Sequence, residues 1–132
     1  MRDGLSEPTR NFISKHIDSV EQLEILFLLY RQPAAEWDVK RISQEIRTSA
    51  TSTQNRLAAL LSSGFLAAGP KAGEVLYRYS PASNELHQGV VDLEQEYKIR
   101  RVRVIDAIYA RPTEKMMNFL DAFKIRKSDK DE

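Results

Sequence analysis

Between Thr48 and Arg56 the chain reads TSATSTQNR, a run of hydroxyl and amide side chains closed by one guanidinium. Those residue types suit one kind of chemistry. Gln54 and Asn55 each hold a donor beside an acceptor, the pattern that matches an adenine edge. Arg56 can lay two donors along guanine, the Thr51 methyl can touch thymine, and the Ser52 hydroxyl can serve any base. Thr48 and Ser49 can bond phosphate through their hydroxyls, helped by the N–H groups of a helix that starts after them. Arg56 is also within reach of a phosphate. The run has no acidic residue and one basic one, so the grip on a phosphate backbone must come from its flanks. Lys40, Arg41 and Arg47 precede it; Lys71 and Arg78 follow. From Asp38 to Arg78 there are six positive residues (Lys40, Arg41, Arg47, Arg56, Lys71, Arg78) and three negative (Asp38, Glu45, Glu74), a net +3. The whole chain is +1, so the remainder is −2 and the positive excess is local.

Other chemistries find little support. The 132 residues contain no cysteine, which excludes disulfides and thiolate metal sites. The two histidines, His16 and His87, stand on separate elements with no ligand pattern around them. His16 reads as a packing or capping group and His87 as a surface or boundary residue. There is no phosphate loop, glycine-rich fingerprint or nucleophile elbow. No enzyme activity, cofactor or metal is expected. The basic run KIRRVRV, Lys98 to Val104, has a phosphate-binding look, but Glu94 and Glu96 lie four residues ahead of Lys98 and Arg100 and can pair with them. The longest apolar stretch, LEILFLLY, is too short to span a bilayer and contains Glu24. The N-terminus has no signal-peptide core. A cytoplasmic protein with no membrane partner is expected.

The elements that must position these residues are legible from caps and periodicity. FISKHI, Phe12 to Ile17, predicts a short docking helix, with a mobile tip before Pro8. Ser19 and Gln22 form a capping box for a largely buried helix that Pro33 ends. Asp38 caps a short amphipathic helix with Val39, Ile42 and Ile46 on its stripe. After the turn Arg47-Thr48-Ser49, a helix from Ala50 to Ser63 turns Thr53, Leu57, Leu60 and Leu61 inward, and Gly64 stops it. Phe65 to Ala67 and Val75 to Tyr79 predict a β-hairpin with a five-residue tip, Gly69 to Gly73. Trp37 is expected to pack on the hairpin side of the core. Helical pattern then runs from Pro81 to Pro112, broken at Arg100 or Arg101, and a last helix spans Thr113 to Arg126. The tail KSDKDE is charged and expected to be disordered.

This order of elements resembles a winged helix-turn-helix domain of the kind found in MarR-like bacterial regulators. The resemblance is carried by WDVKRISQEI as first helix, RTS as turn and ATSTQNRLAALLSSGFL as second helix and strand. GPKAGE and VLYRYSP form its wing. It covers Val20 to Pro81, about half the chain. It implies a mainly α fold with a small β-hairpin, in three parts: an arm over 1–18, the winged domain over 19–80 and a helical dimerisation extension over 81–132.

The resemblance further implies a transcriptional regulator bound to double-stranded DNA. Its recognition helix, about 50–63, would lie in the major groove and its wing, about 69–74, on the backbone. Lys40, Arg41, Arg47, Thr48, Ser49, Thr51, Ser52, Gln54, Asn55, Arg56, Lys71 and Arg78 form the expected contact set. About five phosphate contacts per protomer would give a salt slope of roughly −4 to −5. The alternative is a winged-helix adaptor that binds a signalling or transcription protein and has little DNA affinity. The apolar surplus of the C-terminal half predicts a homodimer through Leu93, Tyr97, Val104, Ile105, Ile108, Met116 and Leu120, with Met117 filling gaps.

Overall fold

The computed structural model describes residues 4–110. Thr113, Met116, Met117, Leu120 and Phe123 of the expected last helix, and the charged tail, lie outside the described residues.

α1 spans Glu7–His16. It begins five residues earlier than expected because Pro8 opens it. A first-turn N–H has no helical partner to lose, and the fixed proline φ suits that turn. Ser6 caps it, accepting from the Thr9 N–H at 3.3 Å. Leu5, ahead of the cap, is buried, so the segment before Pro8 is anchored at that residue.

α2 (Val20–Arg31) starts on Ser19, whose hydroxyl accepts from the Gln22 N–H at 3.1 Å. The buried Gln22 side chain reaches back. It accepts from the Asp18 N–H at 2.6 Å and donates to the His16 carbonyl at 3.0 Å, closing the α1–α2 corner. Leu23, Ile25, Leu26, Phe27 and Leu29 are all buried, which makes α2 the central rod of the domain.

α3 (Val39–Ile46) is capped by Asp38 and ends at Arg47, which adopts the left-handed conformation with φ 64°. α4 (Ala50–Ser62) is capped by Ser49 and buries Thr53, Leu57 and Leu60. Thr53 also fixes the crossing of these two helices: its hydroxyl accepts from Ser43 at 2.9 Å and donates to the Ser49 carbonyl at 2.9 Å. Gly64, at φ 87°, turns the chain out of α4.

β1 (Leu66–Lys71) and β2 (Glu74–Tyr79) pair antiparallel up to Lys71↔Glu74. The tip is therefore Ala72-Gly73, not the expected five residues. Both tip residues have positive φ, the requirement of a two-residue turn that matches strand twist. Pro70 is tolerated inside β1 because β1 is an edge strand. The other side of β2 is occupied by Trp37, which exchanges two 2.8 Å backbone hydrogen bonds with Tyr77. Trp37 is fully buried, on the hairpin side of the core as expected.

α5 (Asn84–Ile99) starts on a Ser83 cap, after Pro81 rather than at it. The helix breaks at Arg100, one of the two expected positions, and α6 (Arg101–Ala110) follows. The expected pairs of KIRRVRV form, Lys98 with Glu94 at 3.7 Å and Arg100 with Glu96 at 2.8 Å. Glu94 also receives Arg31 at 2.6 Å, pinning α5 to the end of α2. His16 packs edge-on against Phe12 and Phe65, and the His87 ring nitrogen lies 2.8 Å from the Tyr79 hydroxyl.

Leu93, Tyr97, Val104 and Ile108 of the extension pack in the chain's own core, and Ile105 packs against it. α1 is the reason. It is longer than expected, and both α5 and α6 pack on it. The large apolar side chains left outside on these helices are Ile99, Val102 and Tyr109, at 72, 68 and 72% exposure. Gly89 permits the α1–α5 approach, because a Cβ there would overlap the Phe12 ring. Phe12 is wedged against His16 and Phe65 and cannot swing aside freely. Gly89→Ala should therefore destabilise the fold by about 1–2 kcal/mol in urea unfolding, overpacking outweighing the better helix propensity of alanine.

Candidate nucleic-acid interface

α4 carries the polar run, and its burial pattern sorts that run into faces. Thr53, Leu57 and Leu60 face the core. Thr51, Gln54, Asn55 and Ala58 are exposed and form one outer stripe. Neither the Gln54 nor the Asn55 amide has a hydrogen-bond partner within the protein among the described residues, so both ends of each are open to a ligand. Ser49 is exposed but already occupied as the cap, accepting from the Ser52 N–H at 3.0 Å.

Ser52 and Arg56 lie on the third face of α4, toward α2. The Ser52 hydroxyl donates to the Glu21 carboxylate. Arg56 Nε donates to the same Glu21 oxygen at 3.1 Å, and the arginine side chain is only 35% exposed. The carboxyl of Glu21 is held below its ordinary value of 4.5, chiefly by the Ser52 hydrogen bond; burial opposes this, and Thr48 and Arg56 add to the lowering. A lowered carboxyl value in the folded state stabilises the fold above pH 4.5, and that contribution is lost as pH falls through the folded value. Glu21→Gln should therefore be less stable than the parent at pH 7, and the gap should narrow as pH is lowered below 4.5. Urea midpoints on either side of pH 4.5 give the comparison.

Glu21 was not among the residues singled out from the sequence. It stands 31 and 35 positions from its partners, and nothing in its local pattern marks it.

The basic neighbours divide in the same way. Lys40, Arg41, Arg47 and Arg78 are exposed and make no ion pair among the described residues. Arg41 stacks its guanidinium 4.3 Å from the centre of the Trp37 ring, which fixes its direction while leaving its charge uncompensated. That pair is four residues apart on a helix start, a signal that the sequence does contain. Lys40, Gln44 and Arg47 border one shallow groove with Thr48, Ser49 and Ala50 at the start of α4. On the hairpin, Lys71 is tied to Glu36 at 3.0 Å. It shares a concavity with Arg78 there. The twelve expected contact residues thus separate into four open cations, an open polar stripe of Thr51, Gln54 and Asn55, and a set already engaged within the protein: Thr48, Ser49, Ser52, Arg56 and Lys71.

Among the described residues, no helix is long and apolar enough to cross a membrane, and no group of acidic and histidine side chains is arranged to hold a metal ion.

No family model and no curated protein matches the chain. Solved structures do. HlyU from Vibrio cholerae N16961 is 22% identical over 69% of this chain and 90% of its own, with a TM-score of 0.52. The homodimeric winged helix-turn-helix DNA-binding domain of Mb0332 from Mycobacterium bovis, a possible ArsR-family transcriptional regulator, is 21% identical over 74% of this chain and 94% of that fragment, with a TM-score of 0.51. Sco5413, a MarR family transcriptional regulator from Streptomyces coelicolor, is 18% identical over 92% and 83%, with a TM-score of 0.55. The likeness is one of fold: α2, α3, α4 and the β1–β2 hairpin form a winged helix-turn-helix, with helices before and after it.

Proposed function

We propose that this winged-helix chain is a DNA-binding transcriptional regulator and not an enzyme. α4 would sit in the major groove and the Ala72-Gly73 end of the hairpin along the adjacent backbone. The observation that supports this best is the open stripe of Thr51, Gln54 and Asn55 on α4, whose first residue, Ala50, shares a groove with uncompensated Lys40 and Arg47. Base edges need directional donors and acceptors, phosphates need charge, and this surface offers both side by side. Similarity to a MarR family transcriptional regulator and to a homodimeric DNA-binding domain adds weight.

The active form is a homodimer on this reading, acting in the cytoplasm on a two-fold site with half-sites about 34 Å apart. Exposed Ile99, Val102 and Tyr109 supply apolar surface for the pairing, in place of the residues that the core consumes.

Four open cations per protomer give a salt slope of about −3.6, and about −7 for a dimer. Binding to mixed genomic DNA should weaken by about 10⁴-fold between ~50 and ~200 mM salt. Absence of binding at both concentrations would refute the regulator and favour the adaptor that recruits a protein through the same face.

A further inference from the structure

We propose that the chain selects its DNA sites through adenine, read by the amides of Gln54 and Asn55, and that Glu21 holds Arg56 out of the readout. The proposal rests on the DNA-binding reading above and adds to it which base is recognised and which side chains do so.

The geometry of α4 carries the argument. At 3.6 residues per turn, Gln54 and Asn55 lie within about 60° of Thr51 around the helix axis, whereas Arg56 lies about 140° away. The exposure agrees: Thr51, Gln54, Asn55 and Ala58 are open, while Ser52 and Arg56 are half-buried toward α2. Ala58, one turn on, is too small to keep the amides from a groove floor. Each amide can donate to one atom of adenine and accept from its neighbour. At guanine the same edge presents two acceptors, and the amide oxygen meets one of them unpaired.

Arg56 is the side chain that would ordinarily favour guanine. Its Nε is spent on Glu21 at 3.1 Å, and Nε belongs to one of the two-donor edges that a guanidinium can lay along a base. To reach the groove it would have to leave a part-shielded carboxylate that Ser52 also binds. Glu21 is thus a positioning residue. It orients α4 against α2 and removes the one charged side chain of α4 from competition with the amides.

Selection from a pool of random double-stranded DNA at ~50 mM salt tests this. The bound fraction should be enriched in adenine at fixed positions of each half-site. Gln54→Ala and Asn55→Ala should each reduce adenine-over-guanine discrimination at one position by about 5- to 150-fold, the worth of a bidentate contact. Both side chains are exposed, so the fold is retained, and the near-ultraviolet signal of buried Trp37 monitors it. Arg56→Ala should leave the enriched bases unchanged. A guanine preference abolished by Arg56→Ala would overturn the proposal. Retention of DNA with no base preference would overturn it too, while leaving the DNA-binding reading intact. A pool that is not retained at all would overturn both.

Discussion

Substituting Lys40→Ala, Arg47→Gly and Arg78→Ala together should cut the DNA salt slope of a dimer from about −7 to about −2, leaving Arg41 as the open cation of each protomer. Six lost phosphate contacts should weaken binding by about 10³-fold or more at ~100 mM salt, alike for all sequences because phosphates carry no base information. The variant should still fold. All three side chains are exposed and unpaired among the described residues, and surface changes of that kind fall within about 0.5 kcal/mol each. Arg47 is a special case, since its φ of 64° costs a residue with a Cβ roughly 1 kcal/mol more than it costs glycine. Arg47→Gly should therefore hold or raise the melting temperature while lowering DNA affinity. Titration at several salt concentrations, set beside thermal unfolding, separates the two effects. An unchanged slope would show that these cations do not meet phosphate.

Trp37→Ala should destabilise the fold by about 3–5 kcal/mol, the cost of emptying a large buried aromatic site. That is a large share of the stability of an ordinary domain, roughly 5–15 kcal/mol. Trp37 is fully buried, its backbone joins α3 to β2 through Tyr77, and its ring carries Arg41. Loss of the ring should therefore loosen the hairpin relative to α4 as well as lower the urea midpoint. Trp37→Phe should cost about 1 kcal/mol or less, because it keeps most of the volume and removes an indole N–H that is buried without a partner. If Trp37→Ala unfolded at the parent's midpoint, the hairpin would not depend on this anchor.

Much of the fold is local chemistry and could be read directly. Ser19, Asp38 and Ser49 cap helices where the sequence puts them, because an N-cap needs only its own side chain and N–H groups two or three residues ahead. Gly64 stops α4 for an equally local reason, the freedom of glycine at positive φ. The hairpin tip is shorter than its sequence suggests because Ala72 carries no mark of the left-handed conformation it adopts. Pro70 looked like a turn residue, yet a proline is harmless on an edge strand.

The helix-turn-helix, the wing and the polar outer stripe of α4 are written in local sequence, because periodicity, caps and turns act over a few residues. Tertiary structure alone decided how the charged and apolar side chains are spent. Leu93, Tyr97, Val104 and Ile108 have the periodicity of an interface, but the packing of α1 on α5 and α6 absorbs them into the core. Arg56 has the side chain of a base reader, but Glu21, on another helix 35 residues away, engages it. Both outcomes depend on which surfaces meet across long stretches of chain, and no local pattern encodes that meeting.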